Sequence, residues 1–372
     1  MRIAVNTRHL HDRLEGIGTV TNEVMKRIAL KHPEDSFDYY FDRKYKPEFI
    51  HAPNVSGHPF FPPTKLPFLI RYWLNHAVQQ HLRKHNHNVF FSPDGFLPMN
   101  SKVPKVSMVH DIAFLRNPHH VTPMIRQFYA KWMPLFVKEA DHIITVSNFS
   151  KKELVSGYGL KADKISVVYN GVSSAYHPLP EDEQQEVRDK NFSGQPFFLY
   201  LGAIHPRKNI LTLIRAFEKY KKEKGADHCL VIAGRPSWYT REIFKAVDAS
   251  PNRDEIYVTG FVEITLARKF IASATALVYP SRYEGFGLPV IEAMASGTAV
   301  ITSNVASLPE VAGDAALFFD PGNVDHLVNH LHVVTNDHTA RQQLIDAGHI
   351  RVKRFSWDQT ADSVYEVLQR FK

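Results

Sequence analysis

Short apolar segments alternate with longer amphipathic segments along this chain, and the pattern runs through the chain twice. Most of the short segments are apolar on both faces, which is typical of strands in a parallel sheet covered by helices. Strand–helix alternation requires right-handed crossovers and predicts an α/β architecture. The 372 residues exceed the roughly 250–300 at which a single core stops growing. We therefore predict two α/β domains rather than one long sheet.

The predicted elements form two sets. In the first half the strands are Ile3–Asn6, Asp38–Phe41, Val89–Ser92, Val106–His110, Ile143–Ser147 and Ile165–Tyr169. In the second half they are Phe197–Leu201, Leu230–Ala233, Ile256–Thr259, Ala276–Tyr279, Ala299–Thr302 and Ala316–Phe319. The clearest helical segments between them are Thr19–Leu30, Ile125–Glu139 and Ile210–Lys224.

The pattern is interrupted between Ser173 and Gln195, where proline and polar residues offer no face to a core. The interruption divides the chain into a first domain over 1–178, a linker over 179–195, a second domain over 196–355 and a C-terminal segment over 356–372. That last segment has apolar residues at helical spacing and no strand after it. Its helix either closes the second domain or, as we expect, crosses back to the first.

Composition narrows the class of protein further. The single cysteine, Cys229, excludes an internal disulfide, and its apolar neighbours predict a buried structural thiol. The N-terminal residues lack the apolar run of a signal peptide. No stretch approaches the ~18 uncharged apolar residues of a membrane span. We therefore expect a cytoplasmic protein.

Charge is distributed unevenly. Residues 1–178 carry a formal net charge of +9, whereas the remaining residues carry −2. A basic first half favours an anionic partner, such as phospholipid headgroups, a lipid-phosphate acceptor or nucleic acid, although a solvated surface would give the same composition. The stretch 60–74 mixes aromatic residues with Lys65 and Arg71. We interpret it as core packing in preference to an interfacial membrane patch.

The most informative segment runs from Tyr279 to Gly297. A buried strand is predicted to end near Tyr279, and a loop with Gly285 and Gly287 follows. Pro289 suits the first residue of a helix, and Gly297 suits the position just after its end. The free N–H groups and the dipole of such a helix N-terminus attract an anion, typically phosphate. The segment also lies at the carboxyl end of a strand, where open α/β sheets bind ligands.

Two carboxylates bracket this helix N-terminus. Glu284 lies in the loop and Glu292 is expected in the first helical turn, with seven residues between them. An acid beside a phosphate repels it, so accepting hydrogen bonds from sugar hydroxyls is the better use of each carboxylate. Taken singly, Glu284 is better explained as a solvated loop acid, and Glu292 as a residue that favours the helix dipole. Taken with the two glycines and Pro289, they predict a site for a sugar and a nucleotide.

This segment resembles the Glu-x7-Glu signature of the retaining glycosyltransferases of family 4, which have the GT-B fold. The resemblance covers nearly the whole chain. Further matching stretches are Gly202–Ile210, similar to that family's phosphate-binding loop, Val258–Val262, similar to its nucleobase-contacting turn, and Thr145–Leu154 and Val168–Val172 in the first domain. The resemblance implies two Rossmann-like domains that face each other across a cleft, with the nucleotide-sugar donor held mainly by the second domain.

The resemblance also implies roles for particular residues. Arg207 and Lys208 would hold the donor diphosphate and stabilise it as it leaves, with bidentate contacts from the arginine and a compact charge from the lysine. Many relatives place the arginine directly after the loop glycine, where this chain has Ala203, so Arg207 is inferred to replace it. Glu284 would bind the hydroxyls of the transferred sugar, and Glu292 those of the ribose. The remaining donor contacts would come from the base-contacting turn Gly260, Phe261 and Val262 and from the loop Gly285, Phe286, Gly287 and Leu288.

The first domain offers weaker candidates. Gly16 and Gly18 follow the opening strand and precede a helix, so the backbone there can approach a diphosphate closely. His110 and Asp111 end another buried strand. In relatives a histidine at this position contacts the donor sugar. Asp111 would position His110 or touch the acceptor hydroxyl, and simple capping of the turn is the alternative for both.

The resemblance implies retaining glycosyl transfer without a cofactor. Metal independence is expected because Arg207 and Lys208 supply the charge that Mg²⁺ would otherwise provide. No metal site is predicted. GDP-mannose is the favoured donor and UDP-sugars (glucose, galactose or N-acetylhexosamine) are the alternative. The acceptor would be a glycan or a lipid-linked saccharide in polysaccharide assembly, with peripheral contact at an anionic membrane surface. A sugar-nucleotide epimerase and a non-catalytic nucleotide-sugar-binding protein stay open, whereas a nucleic-acid partner would leave the glutamate-bracketed site unexplained.

Overall fold

A computed structural model of the chain describes residues 1–11, 14–225 and 227–372. The chain forms two compact units, which we call unit 1 (residues 1–171 and 356–372) and unit 2 (residues 172–355). Each unit is built on one sheet whose strand pairs are all parallel. The prediction of two parallel-sheet α/β domains is confirmed.

Unit 1 contains a seven-stranded sheet with the strand order β3-β2-β1-β4-β5-β6-β7. Its strands are β1 (Arg2–Asn6), β2 (Ser36–Phe41), β3 (Val55–Pro59), β4 (Val89–Ser92), β5 (Lys105–Met108), β6 (His142–Thr145) and β7 (Ile165–Val167). Its helices are α1 (Ile17–Lys31), α2 (Pro67–Tyr72), which continues through a π-helical turn (Trp73–Val78) into α3 (Gln79–Lys84), then α4 (Ala113–Arg116), α5 (Pro123–Glu139) and α6 (Asn148–Tyr158).

Unit 2 contains a six-stranded sheet with the order β10-β9-β8-β11-β12-β13. Its strands are β8 (Phe197–Leu201), β9 (Cys229–Ala233), β10 (Ile256–Gly260), β11 (Ala276–Tyr279), β12 (Ala299–Ser303) and β13 (Leu317–Phe319). Its helices are α7 (Glu181–Phe192), α8 (Ile210–Lys224), α9 (Arg241–Asp248), α10 (Ile264–Ser273), α11 (Leu288–Ala295), α12 (Leu308–Ala312), α13 (Val324–Asn336) and α14 (His338–Val352). The final helix, α15 (Trp357–Gln369), belongs to unit 1.

The strand order of each sheet reverses direction once. In unit 2 the chain moves from β8 outward to β9 and β10, and then returns to the other side of β8 to form β11. In unit 1 the corresponding reversal lies between β1 and β4. The loops that leave such a pair of strands diverge to opposite faces of the sheet and open a crevice at the carboxyl ends. The fold therefore places one crevice-forming position in each unit.

Every predicted strand is present, with ends shifted by at most two residues, but the sequence analysis missed β3. This strand pairs only with β2, at the edge of the sheet, and includes Gly57 and Pro59. Glycine and proline weaken the strand pattern, and an edge position is where a sheet tolerates them. The weak strand pattern of β3 is thus explained by its position at the edge of the sheet.

The structure divides the chain differently from the predicted boundaries. The segment 179–195, predicted as a linker, contains α7 and belongs to unit 2. Phe192 at the end of α7 is buried, and its ring centroid lies 4.6 Å from that of Phe197 and 5.0 Å from that of Phe270. A polar helix is thus anchored to the core by the buried Phe192 and Val187, which the mainly polar sequence of α7 conceals.

Helix α15 packs against α1 in unit 1. Lys31 of α1 donates to Asp362 at 2.8 Å, and the Tyr365 hydroxyl donates to Asp35 at 2.5 Å. The Tyr365 ring also stacks on His32 with a centroid distance of 3.6 Å. The C-terminal helix is therefore held by apolar, polar and aromatic contacts of unit 1.

The aromatic stretch 60–74 divides between core and surface. Trp73 and Leu74 are fully buried, as the core interpretation expects. Phe61 and Phe68 are 62% and 61% exposed, so that interpretation is wrong for them. Helical periodicity separates the two groups only when one knows which side of the helix faces the sheet. In the part of the chain that the structure describes, no helix combines the length and apolar character that crossing a bilayer requires.

We expect Leu368→Ala in α15 to lower the free energy of unfolding of unit 1 by about 2–5 kcal/mol, because Leu368 is fully buried. In a Trp238→Phe background the remaining tryptophans, Trp73, Trp132 and Trp357, all lie in unit 1. Their fluorescence during urea unfolding therefore reports on unit 1 alone.

The control for this measurement is the adjacent exposed residue, through Gln369→Ala, which should change the free energy by less than about 0.5 kcal/mol. Circular dichroism, which senses both units, is recorded in parallel. If Leu368→Ala moves only a transition that the tryptophans do not sense, α15 does not stabilise unit 1.

Candidate functional site

Two glycines bring the loops after β8 and β9 into backbone contact. Gly234 has a φ of 152°, and a Cβ atom at this residue would lie 1.8 Å from the carbonyl oxygen of Gly202. The Gly202 N–H donates to the carbonyl oxygen of Ala233 at 2.9 Å. The Ile204 N–H donates to the carbonyl oxygen of Arg235, in the loop after β9, at 2.8 Å. Only glycine permits this approach. The loop that follows β8 is consequently fixed before it reaches the predicted phosphate-binding residues.

That loop ends in a 3₁₀ turn, Pro206–Lys208, which leads into α8. Asn209 follows the turn in the left-handed conformation, with a φ of 58°. Its side-chain amide donates to the carbonyl oxygens of Pro280 at 3.1 Å and Pro321 at 2.8 Å. The buried Asn209 therefore ties the loop after β8 to the loop after β11, and sequence analysis did not identify this residue.

Lys208 and Arg207 both contact the carboxylate of Glu284. The Lys208 Nζ atom lies 2.6 Å from Glu284 Oε1 and donates to the Tyr279 hydroxyl at 2.6 Å. The Arg207 Nη1 atom lies 3.1 Å from Glu284 Oε2 and also donates to the carbonyl oxygen of Tyr283. The Lys208 ammonium lies 4.9 Å from the centre of the Tyr279 ring. Three predicted site residues, separated by up to 77 positions in the chain, thus meet in one cluster.

Glu284 is 6% exposed, and burial by itself raises the pKa of its carboxyl group. The positive charges of Arg207 and Lys208 and the hydrogen bond from Lys208 outweigh this effect and lower the pKa to about 2. Glu284 is therefore ionised at neutral pH. An ionised carboxylate only accepts hydrogen bonds, which suits the hydroxyls of a sugar.

The glycine-bearing loop after β11 ends at the N-terminus of α11. Gly287 is the residue before the helix, with a φ of 100°. A Cβ atom there would lie 2.9 Å from the side chain of Leu308. Both the positive φ and this close contact therefore favour glycine at the position. The Ser307 hydroxyl donates to the carbonyl oxygens of Glu284 at 2.9 Å and Phe286 at 3.1 Å. The loop is thus held from α12, and its residues Gly285, Phe286, Gly287 and Leu288 lead from Glu284 into the helix.

Glu292 occupies a different environment from Glu284. Helix α11 begins at Leu288, so Glu292 lies in the second turn rather than the first. The carboxyl group is half-buried, and burial raises its pKa to about 7 against the opposing effects of a hydrogen bond from Tyr176 and the charge of Arg268. The Arg268 guanidinium lies 5.2 Å from the Tyr176 ring centre. Of this group, sequence analysis identified only Glu292.

The predicted base-contacting turn follows β10. Gly260 adopts a φ of 68°, and its carbonyl oxygen accepts from the Gly234 N–H at 2.8 Å. Phe261 lies under the guanidinium of Arg235, which is 5.4 Å from its ring centre, and Val262 follows before α10. This turn is therefore joined to the loop after β9.

In unit 1, His110 and Asp111 follow β5, as predicted, and both are half-buried. The His110 Nε2 atom donates to the carbonyl oxygen of Pro93 at 2.8 Å, so Nε2 carries the proton. Burial lowers the pKa of His110, which favours the neutral ring with Nδ1 as an acceptor. Asp111 accepts from the Ala113 N–H at 2.8 Å. His110 is thus preorganised as a hydrogen-bond acceptor, whereas the observed contact of Asp111 is a cap of α4.

A polar cluster that the sequence analysis missed surrounds Asp94. This fully enclosed carboxylate contacts Arg8 at 2.5 Å, His9 at 2.8 Å and Asn6 at 2.9 Å, and it also accepts from the Ser92 hydroxyl at 2.8 Å. The positive charge of Arg8 and the hydrogen bond from His9 outweigh burial and hold the pKa of Asp94 well below its usual range. These residues end or directly follow β1 and β4, so polar residues at the ends of buried strands were the available signal.

Gly16 and Gly18 lie at the start of α1, as the sequence suggested. Gly16 precedes the helix with a φ of 46°, and a Cβ atom there would meet nothing within 4 Å. A Cβ atom on Gly18 would lie 3.0 Å from the carbonyl oxygen of His9. Gly18 therefore has a packing role, whereas diphosphate contact by either glycine stays a prediction. Within residues 1–11, 14–225 and 227–372, no group of three or more His, Cys, Asp or Glu side chains is arranged to hold a metal.

Comparison with known families gives two matches that together cover most of the chain. Residues 16–176 match the model described as Glycosyltransferase Family 4. Residues 182–351 match the model described as Glycosyl transferases group 1. The two matches fall on the two α/β halves, and the second contains the Arg207, Lys208 and Glu284 cluster.

Similar proteins extend the match to full length. The chain is 30% identical to O-antigen chain mannosyltransferase B of Escherichia coli over 96% of this chain and 97% of that protein. It is 32% identical to O-antigen chain mannosyltransferase RfbU of Salmonella typhimurium over 57% of this chain and 59% of that one. Sucrose-phosphate synthase of Thermosynechococcus elongatus has the same fold, with a TM-score of 0.80, 19% identity and coverage of 99% and 98% of the two chains. The chain is a glycosyltransferase of family 4 with the GT-B fold, similar in sequence to O-antigen mannosyltransferases.

Proposed function

We propose that this glycosyltransferase transfers mannose from GDP-mannose to a glycan or lipid-linked saccharide acceptor in polysaccharide assembly, with retention of the anomeric configuration and without a metal. The observation that carries the proposal is the contact of Lys208 and Arg207 with the buried carboxylate of Glu284. The mannosyltransferase names of its relatives support the choice of sugar. A UDP-sugar donor is the alternative.

The cluster suits a diphosphate next to a sugar. Two cations against one carboxylate leave a net positive charge, and the Glu284 loop leads into the N-terminus of α11. Charge developing on the leaving diphosphate would be stabilised by fixed donors that need no reorganisation. The same cations also neutralise the leaving group, and this is the reason for proposing metal independence.

Glu284 is better suited to binding than to nucleophilic attack. Its pKa of about 2 makes it a weak nucleophile, and both oxygens already accept hydrogen bonds or ion pairs from Lys208 and Arg207. In the proposed step the bond between the sugar anomeric carbon and the diphosphate oxygen breaks, and the acceptor oxygen bonds to that carbon on the same face. The acceptor proton passes to the departing phosphate oxygen. Retention follows without an enzyme-bound sugar.

Glu292 is proposed to bind the ribose, and His110, in its neutral form, to accept a hydrogen bond from the donor sugar. Gly260, Phe261 and Val262 are proposed to contact the base. Each assignment follows the family resemblance, and the geometry of each unit supports it with a suitable acceptor or backbone turn. A lipid-linked acceptor would bring the enzyme to an anionic membrane surface.

The function is tested by incubating the protein with GDP-mannose, UDP-glucose, UDP-galactose or a UDP-N-acetylhexosamine, with saccharide acceptors and EDTA present. We expect GDP release to be fastest with GDP-mannose, EDTA to have no effect, and proton NMR to show an α-linked product. A β-linked product would contradict retention. A new nucleotide sugar formed without an acceptor would identify an epimerase, and tight donor binding without turnover would indicate a non-catalytic protein.

Lys208→Met keeps the apolar stem of the side chain and removes its charge. We expect kcat/KM for the preferred donor to fall about 10²–10³-fold, as when one fixed stabilising donor is removed. Lys221→Met is the matched control, because Lys221 forms an ion pair with Glu255 and its side chain is 10% exposed, against 11% for Lys208. Equal losses in the two variants would mean that the effect of Lys208 is one of folding.

Donor affinity should depend on pH through Glu292. Its pKa of about 7 means that the carboxyl group is protonated below that pH and ionised above it. Only the ionised group accepts from two ribose hydroxyls, so the affinity for GDP-mannose should rise as the pH increases through about 7.

The ribose contribution is isolated by comparing GDP-mannose with its 2′-deoxyribose analogue in calorimetric titrations. Neither diphosphate titrates near pH 7. The Kd of the 2′-deoxyribose analogue divided by the Kd of GDP-mannose therefore reports on the ribose contact alone. This ratio should increase with pH in the wild type and be constant in Glu292→Gln. A constant ratio in the wild type would exclude Glu292 from ribose binding.

A further inference from the structure

Unit 1 carries large aromatic side chains on its surface, in and just before α2. Phe61, Phe68 and Tyr72 are 62%, 61% and 53% exposed, and Leu66 is 42% exposed. Phe68 and Tyr72 lie four residues apart, so they share one side of the helix. Exposed apolar side chains that lie near one another are typical of protein or membrane interaction sites.

Helix α5 lies beside α2 and extends this surface. Ile70 of α2 and Phe128 of α5 are buried in the same core cluster. Arg71 of α2 covers Trp132 of α5, with its guanidinium carbon 3.4 Å from the ring centre. Because both helices direct their apolar side into one core and contact each other laterally, their opposite sides are exposed together.

The exposed side of α5 combines apolar and basic residues. Met124 and Leu135 are 52% and 40% exposed, and Lys131 and Lys138 are also exposed. Their spacing places all four on one stripe of the helix. We call Phe61, Leu66, Phe68 and Tyr72 together with this stripe the basic aromatic face.

Carboxylates are nearly absent from this part of the chain. Residues 49–138, between Glu48 and Glu139, contain ten Lys and Arg residues and only two acids, Asp94 and Asp111. Asp94 is buried against Arg8 and His9, and half-buried Asp111 caps α4. No carboxylate is therefore exposed between those two glutamates to offset the positive charge.

We propose that the basic aromatic face docks on a bilayer surface rich in anionic phospholipid. Phe61, Phe68 and Tyr72 would enter the headgroup region, and Lys131 and Lys138 would contact lipid phosphates. Charge complementarity favours this occupant, because aromatic rings beside lysines match the boundary between acyl chains and anionic headgroups. Each lysine near such a surface strengthens partitioning about fivefold at moderate ionic strength. The proposal does not depend on the identity of the donor.

The first experiment is co-sedimentation of the full chain with extruded vesicles of phosphatidylcholine, or of phosphatidylcholine with about one third phosphatidylglycerol, at ~0.1 M salt without nucleotide sugar. We expect binding only to the anionic vesicles. Phe68→Ser/Tyr72→Ser should weaken it about tenfold or more, and Lys131→Glu/Lys138→Glu at least about 25-fold.

Matched control variants change the same chemistry at other exposed positions. Leu30→Ser/Ile350→Ser removes two apolar residues that are 54% and 70% exposed, and Lys222→Glu/Lys224→Glu reverses two lysines of unit 2. Thermal unfolding verifies that every variant is folded. Equal binding to neutral vesicles, or equal losses in the control variants, would overturn the proposal.

A second measurement separates insertion from simple adsorption. Phe68→Trp places an additional fluorophore on the basic aromatic face, and Ile350→Trp places one at a position far from it in the chain. Brominated lipid in the anionic vesicles should quench additional fluorescence only in Phe68→Trp, and equal quenching in the two variants would exclude insertion.

The competing partner for an aromatic and basic surface is single-stranded nucleic acid, where bases stack on exposed rings. Titration with fluorescent polyuridylate at the same ionic strength tests it. Binding to the RNA that exceeds binding to anionic vesicles, and that is lost in the same two face variants, would overturn the membrane assignment. Because the vesicle experiment contains no donor, its failure would leave the proposed transfer reaction intact.

Discussion

The ion pair between Lys208 and Glu284 connects the loop after β8 to the loop after β11 in unit 2. One partner follows β8 and the other follows β11, and these neighbouring strands flank the point where the strand order reverses. A buried charge that loses its ion-pair partners costs about 3–5 kcal/mol, and Glu284 has Arg207 as a second cation. The pair therefore constrains both loops. Arg207 and Asn209 add side-chain hydrogen bonds to backbone carbonyl oxygens of the loop after β11.

Two carboxylates on one short segment acquire opposite properties from their surroundings. Glu284 lies between two cations, which hold its pKa near 2, whereas Glu292 is packed against Tyr176 and burial raises its pKa to about 7. Glu284 is ionised at neutral pH, whereas Glu292 changes charge near pH 7. This difference allows one segment to hold a sugar through a fixed acceptor and a ribose through a titratable one, as the proposed function requires.

Much of the fold could be predicted because parallel strands are apolar on both faces and therefore stand out from amphipathic helices. The strands that carry the site were found within two residues, whereas the edge strand β3, with its glycine and proline, was missed. Exposure within the aromatic stretch was harder to predict. Phe68 and Trp73 look alike in sequence, and only the direction of the helix relative to the sheet separates them.

The sequence by itself determined the α/β class, the second-half motif and the residue types able to hold a diphosphate and a sugar, because these follow from local patterns of polarity and from short spacings. Tertiary structure alone decided how Arg207, Lys208 and Glu284 contact one another and that Asn209 and Tyr279 support them, and it places α15 in unit 1. It also revealed the Asp94 cluster after β1 and β4. The physical reason is that charge, burial and hydrogen bonding between distant segments depend on how the strands are ordered in the sheet, which local sequence does not encode.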